Sequence, residues 1–443
     1  MSSISAYSSA DDRLNVVRPA SLILKSFAFF GFILFSGALQ RPIGGSSLQG
    51  SLSGTVIQES NGSIAIIGVL YYALTAAFLL VRGKPIKLHL VLLPLILLNV
   101  WAICTAFWSA DISRSLMRSA GLTGTTLFAV FLCNVLTRKQ IIETLVQASV
   151  FIVLMTAAVT FLSPGYAYHS ASEFYSIHAG LLKGTFDHKN SLAKVLSLII
   201  IVISTLGFRT IKNKLVWALM LLLSIYLIMQ TGSAKTYASV PAALLVGTAL
   251  LFVTDPRVRL WSIITGGIVW TSMSVLGITD YIFSLILESL DRDPTLSART
   301  LIWNEAISAA LQGNPLFGGG YEVAWDNGIG RAVLAALGFD PRHAHNGYIM
   351  VFVELGFVGV AILAVALWLI VKKIIFTIPS GHRALYYFIS AWITLFIVNN
   401  ASGSFITQPA DLYWLMLIMA PVMLTWVERP ANTHRNGSMN SGD

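Results

Sequence analysis

HNGYIMVFVELGFVGVAILAVALWLIVKK, His345 to Lys373, is an apolar run that stops on two adjacent lysines. From about residue 346 to 371 its one charged residue is Glu354. At about 1.5 Å per residue a helix of that length exceeds the ~30 Å hydrocarbon core of a bilayer. The segment reads as a transmembrane helix, entered through His345 and Asn346 and ended by Lys372 and Lys373.

The rest of the chain repeats the pattern. Its 443 residues are 56% hydrophobic and 11% charged, against roughly 25% charged in an ordinary soluble protein. Apolar blocks of spanning length lie near 22–40, 64–81, 88–106, 121–136, 141–162, 190–208, 215–230, 237–253, 259–277, 346–371, 384–400 and 411–427. The sequence therefore predicts an all-α integral membrane protein of about 12 transmembrane helices, with a long loop between helices 9 and 10. Despite a net charge of +9, Lys and Arg form no single patch, so a nucleic-acid partner is not expected. Cys104 and Cys133 sit inside apolar blocks and read as packing residues, with no disulfide or thiolate metal site. About twenty mostly polar residues precede the first block, which favours a retained anchor over a cleaved signal peptide, although Ser36–Ala38 mimics a cleavage site.

Basic clusters give the expected orientation. If residues 1–20 form a cytoplasmic tail, Arg82, Lys84, Lys87, Arg138, Lys139, Arg209, Lys212, Lys214, Arg257, Arg259, Lys372, Lys373 and Arg383 all fall on the cytoplasmic side. Residues 21–278 then hold helices 1–9, 279–345 a large outer loop with amphipathic helices, 346–427 helices 10–12, and 428–443 a second cytoplasmic tail. The topology rule leaves the outer-face cations unexplained: Arg114, Arg118, Lys183, Lys189, Lys235, Arg292, Arg299, Arg331 and Arg342. His169, His178, His188, His343 and His345 share that face.

Arg114 and Arg118 in WSADISRSLMRSAG are four residues apart on a helix that Asp111 can cap. They make either an anion fork or two contacts to lipid headgroups. In GTFDHKNSLAK, Asp187 or Asn190 can cap the sixth span, and the helix dipole with Lys189 and His188 makes an anion-attracting entrance. TGSAKTY brings Lys235 back to the same level after almost no loop. Thr295–Gln312 reads as an amphipathic helix with Trp303, Ile307 and Leu311 on one stripe and Arg299 in its first turn. The glycines of GNPLFGGGYE permit a tight turn or close backbone approach to a ligand, without the lysine and hydroxyl of a P-loop. At the entrance to residues 346–371 a positive helix end disfavours an imidazolium, so His345 can act as a neutral base; a capping or headgroup-contacting histidine is the alternative. Glu354 lies roughly two and a half turns deeper, a functional carboxylate or one half of an ion pair with Lys194. Asp291–Asp293 (DRD) reads as solvated, and no metal site is expected.

WSADISRSLMRS, GTFDHKNSLAK, TGSAKTY, ARTLIWNEAI, GNPLFGGGYE and HAHNGYIMVFVELGFVG, in this order, resemble the O-antigen ligase and polymerase superfamily of bacterial envelope glycosyltransferases. The HKN form looks most like the exopolysaccharide-polymerase branch. The resemblance implies a metal-independent reaction, without a cofactor, on a glycan carried by undecaprenyl diphosphate at the periplasmic face of the inner membrane. It places His345 beside the acceptor hydroxyl and Arg299 at the diphosphate. Arg114, Arg118, His188, Lys189, Asn190, Lys235, Asn346 and Glu354 are the further candidates for substrate binding. Membrane lipids, a chain-length regulator and an export channel are the implied partners.

The chemistry of a sugar diphosphate suits such residues. It needs one base, acceptor orientation and positive charge at the departing diphosphate, with direct displacement inverting the anomeric centre. The competing readings are a ligase that passes glycan to lipid A core, and a flippase of lipid-linked glycans, which should show broken helices, midplane charges and related halves.

Overall fold

The computed structural model describes residues 18–44, 62–82, 85–171, 178–275, 296–339, 341–379 and 382–427. Its long elements are helices: α1 (Arg18–Ser36), α2 (Gly62–Val81), α3 (Leu90–Trp108), α4 (Ile112–Val135), α5 (Arg138–Leu162), α6 (Lys189–Thr210), α7 (Lys214–Gln230), α8 (Ala234–Phe252), α9 (Pro256–Val275), α10 (Leu296–Gln312), α11 (Gly330–Leu337), α12 (Gly347–Phe376), α13 (Arg383–Asn400) and α14 (Leu412–Thr425). Among the described residues seven of these, α2 to α6, α8 and α12, are long and apolar enough to cross a membrane, while α1, α7 and α14 contain shorter apolar helices. The protein is an all-α membrane protein. The DRD stretch, Arg292, Lys84 and both chain termini lie outside the described residues.

Apolar residues all round a helix mean either burial in protein or contact with lipid. α14 is the first case, buried from Leu412 to Leu424, and α6 is buried along most of its length. α2 and α7 are the second: Ile66, Val69, Leu70 and Leu74, and Leu219, Leu222 and Met229, face outward. Large aromatics fill the centre, and several of their polar tips are paired. Trp414 donates to Thr126 Oγ1 at 2.8 Å, and Asn399 donates to the Tyr413 hydroxyl at 3.0 Å.

Basic helix ends are drawn together at one end of the bundle. Lys25 near the start of α1 pairs with Glu143 of α5 at 3.2 Å, and Arg138 donates to His382 Nε2, just before α13, at 2.8 Å. Arg259 at the start of α9 is buried and donates to the carbonyls of Ile375 (3.0 Å) and Thr377 (2.8 Å). It does more than mark topology: a guanidinium satisfies carbonyls that the end of α12 leaves open.

Two local features shape the other end. α4 begins at Ile112, well before the expected span at 121–136, with the Asp111 carboxylate accepting from the Arg114 N–H at 2.9 Å. Arg114 and Arg118 thus lie in the first turns of a long helix. α12 breaks at Gly356 (φ 67°, ψ −169°), and the glycine-rich segment fills the break. Gly319 and Gly320 donate to the carbonyls of Val353 (3.0 Å) and Glu354 (3.1 Å), while Phe357 and Val358 donate to those of Pro315 (2.9 Å) and Leu316 (3.2 Å). Trp101 Nε1 donates to the Leu355 carbonyl at 2.9 Å. A helix can break at membrane depth only where its freed polar groups find such partners.

Candidate functional site

Two helix entrances carry the imidazoles. The residue that caps α6 is neither Asp187 nor Asn190 but His188, whose Nδ1 accepts from the Asn190 N–H at 3.1 Å. A neutral imidazole nitrogen takes the place of the expected carboxylate or amide oxygen, and Asn190 supplies the donor. The Lys189 N–H donates to His169 Nε2 at 3.2 Å, and His178 stands 5.0 Å from His188, ring to ring. At the second entrance Asn346 caps α12, accepting from Tyr348 (3.0 Å) and Ile349 (3.2 Å).

His345, one residue earlier, has φ 52°, a left-handed conformation that non-glycine residues other than Asn, Asp and His rarely adopt. Its N–H donates to His343 Nδ1 at 3.1 Å, and the two rings lie 4.0 Å apart. Trp303 of α10 donates to the Ala344 carbonyl at 2.7 Å and ties this turn to the helix that carries Arg299. The packed face of α10 is Ile302, Ala306 and Ala310, against Trp325, Val333 and Val353. Leu311, expected on the inward stripe, is exposed. Alanines rather than large side chains set the contact because they permit closer approach of the neighbouring segments.

The imidazoles of His345, His188 and His343 are held neutral. Burial pushes His345 down to about 2, helped by His343, Arg299, Lys235 and His188. Burial also lowers His188 to about 3, followed by His178, His169, Lys189 and His343. His343 falls to about 4, again through burial first and then Lys235, Arg299 and Arg342. The shared neighbours show that the motif around 188, the turn around 345, Lys235 and Arg299 form one cluster.

The balance of charge in that cluster is positive. Neither Lys235 nor Arg299 has a carboxylate partner among the described residues. Lys235 lies over the Phe405 ring, 4.4 Å from its centre, which attracts the ammonium without cancelling its charge. Lys194 differs: it pairs with Asp411 at 2.5 Å, over the same ring at 4.8 Å. The expected Lys194–Glu354 pair therefore gives way to Lys194–Asp411. Asp411 also caps α14 by accepting from the Tyr413 N–H at 2.7 Å, so one carboxylate serves both a helix end and a buried cation.

Arg114, Arg118 and Glu354 belong to a second group around the glycine-rich segment. Arg114 forms an ion pair with Asp326. Arg114 and Arg118 both act on Glu322, whose pKa is nevertheless raised by burial. Glu354 is buried beside Glu322. Arg114 of the expected fork thus meets an anion of the chain itself, supplied by a segment some two hundred residues further on, and Arg118 faces the Glu322 carboxyl electrostatically. The glycines likewise serve close approach to the α12 backbone. Tyr321, between the two groups, donates its backbone N–H to Thr105 Oγ1 at 3.0 Å and its hydroxyl to the Thr407 carbonyl, next to Gln408 and the Lys194–Asp411 pair.

His169, His178, His343, Glu322, Asp326 and Asp411 are the additional residues that the structure brings to these groups. The histidines were visible as an outer-face excess, and Asp411 before an apolar run is a capping signal. Nothing local in the sequence pairs Asp326 with Arg114.

The fold and the cluster define a helical membrane protein with an electropositive, imidazole-lined site where two helix entrances meet. Residues 218–364, which hold Lys235, Arg299, His345, Asn346 and Glu354, match the O-Antigen ligase family. The chain is also 27% identical over 326 residues to the exopolysaccharide production protein ExoQ of Rhizobium meliloti (strain 1021), covering 69% of this chain and 70% of that protein. Both findings support the resemblance to the O-antigen ligase and polymerase superfamily.

Proposed function

We propose that this protein polymerises oligosaccharide repeat units carried on undecaprenyl diphosphate, at the periplasmic face of a bacterial inner membrane. The observation that carries the reading is the pair Lys235 and Arg299, without carboxylate partners among the described residues, beside the neutral imidazole of His345. An acceptor hydroxyl oxygen attacks the anomeric carbon of the donor, and the bond from that carbon to the diphosphate oxygen breaks with inversion. The hydroxyl proton passes to His345. The electron pair leaves with the undecaprenyl diphosphate, whose charge Arg299 and Lys235 offset.

The low pKa of His345 fits this sequence of events. Burial first, then His343, Arg299 and Lys235, oppose its protonation, and a diphosphate neutralising the two cations would offset their share of the shift and make the imidazole a stronger base. Fixed cations at the leaving group perform the electrostatic part of what a divalent metal does elsewhere. Arg114, paired with Asp326, and Arg118, which acts electrostatically on Glu322, would support the glycine-rich segment rather than take the diphosphate.

Polymerisation is preferred to ligation because the relative that aligns over two thirds of the chain is named for exopolysaccharide production. The helix break in α12 is a feature expected of a flippase. Here its backbone groups are taken up by the chain's own glycine-rich segment, which favours a rigid site.

Purified protein given an undecaprenyl-diphosphate repeat unit, with EDTA and no nucleotide, should release undecaprenyl diphosphate and build a ladder of longer lipid-linked glycans. Diphosphate release only after a different acceptor is added would make the protein a ligase. Passage of substrate across a liposome with no new glycosidic bond would make it a flippase.

A further inference from the structure

The bundle has a second built cleft at the end opposite His345. α6 carries Lys189 in its first turn and Arg209 in its last, and a helix of that length separates them by roughly 30 Å. Around Arg209 the ends of α5, α6 and α13 leave an open cleft of about 110 Å³. Arg138, Arg209 and His382 line it together with Ile142, Leu206 and Leu385.

Three observations set this cleft apart from the scattered basic residues that mark one side of any membrane protein. The guanidinium of Arg138 is fixed, because it donates to His382 Nε2 at 2.8 Å. Neither arginine has a carboxylate partner among the described residues: Glu143, in the second turn of α5, is engaged by Lys25 at 3.2 Å and Lys139 at 4.0 Å. α6 passes through one π-helical turn at Ile203–Gly207 just before Arg209. Such turns re-aim the residues that follow and are frequent at functional sites.

Two arginines beside a neutral imidazole suit a phosphate, which accepts several N–H bonds at once. The apolar side of the cleft, made by Ile142, Leu206 and Leu385, suits the start of an acyl chain. We propose that this cleft binds a phosphate group, and specifically the phosphate of an anionic lipid headgroup. His382 accepts from Arg138 and leaves the remaining guanidinium N–H groups to the ligand. Burial first, then Arg138 and Arg209, keep the His382 imidazole neutral and so able to accept.

The test is equilibrium binding of a short-chain phosphatidic acid to the full-length protein in detergent, with a short-chain phosphatidylcholine and inorganic pyrophosphate as competitors. Phosphatidic acid should bind at least tenfold tighter than phosphatidylcholine. Arg138→Ala with Arg209→Ala should lose about tenfold or more of that affinity, and Lys139→Ala, an exposed neighbour, should lose nothing. Arg209→Glu is a second, surface variant that folding should tolerate, and it must weaken binding by itself. Competition by pyrophosphate at equal potency would support the phosphate site and assign it to a free phosphate. Equal binding of the two lipids, or unchanged affinity in Arg209→Glu, would overturn the proposal. Since none of these residues belongs to the His345 cluster, glycan transfer by the same variants is an independent readout.

Discussion

A β-carbon on Gly318 would stand 2.3 Å from the carbonyl oxygen of Glu354, so the glycine-rich segment and the broken helix α12 meet backbone to backbone. Gly318 also has φ 80°, which disfavours any side chain. The same contact brings Glu322 beside Glu354, with Arg114 acting on both carboxyls and Arg118 on Glu322.

Gly318→Ala should displace the segment and expose the break. The clash and the positive φ together should cost a few kcal/mol, given about 1–3 kcal/mol for a strained backbone alone. Thermal unfolding of the detergent-solubilised protein measures the loss, and a variant as stable as wild type would show that the close approach is not required.

His345→Asn separates chemistry from backbone. Asparagine tolerates the left-handed φ of this position but cannot take a proton, so the protein should remain folded while transfer falls by about 10²–10⁴. Near-wild-type polymer from this variant would remove His345 from the role of base.

Arg299→Ala should remove one of the two cations that stabilise the leaving diphosphate and lower transfer sharply. If charge suffices, Arg299→Lys retains most activity; if two parallel N–H bonds are needed, it fails as well. Single-turnover rates with saturating donor distinguish the two, and an active alanine variant would exclude Arg299 from the diphosphate site.

Acid should destabilise the protein in a defined window. His188, His343 and His345 have folded pKa values below the unfolded value near 6.5, so the unfolded chain binds more protons. Their stabilisation is complete above about pH 6.5 and is lost as pH falls towards their folded values. Glu322, with a raised pKa, acts in the opposite sense, contributing stability at low pH that is lost on raising it. His188→Asn preserves an N-cap and removes one of the three titrations, so its melting temperature should fall less between pH 7 and pH 5 than that of wild type. An unchanged slope would contradict a buried neutral His188.

Asp411→Asn should keep the cap on α14 and strand Lys194 as an unpaired buried cation, at a cost of about 3–5 kcal/mol. Asp411→Asn combined with Lys194→Met should recover much of that loss. Failure of the double variant to recover would mean that the pair does more than neutralise itself.

Hydrophobic length and charge are local properties, so the sequence by itself determined that this is an all-α membrane protein and pointed to the helix entrances at Lys189 and Asn346. Asp111 was legible as a cap for the same reason, since a cap bonds only to the next few residues. His188 was missed as a cap because Ser, Thr, Asp and Asn are the usual N-caps, and the burial that secures its neutral, accepting imidazole is a tertiary property. The choice of partners also lay beyond the sequence. Lys194 could have met Glu354 or Asp411, and Arg114 could have faced a ligand or Asp326. Which charges cancel and which stay open depends on which distant helices pack together, and this packing left Lys235 and Arg299 without a carboxylate beside His345 among the described residues.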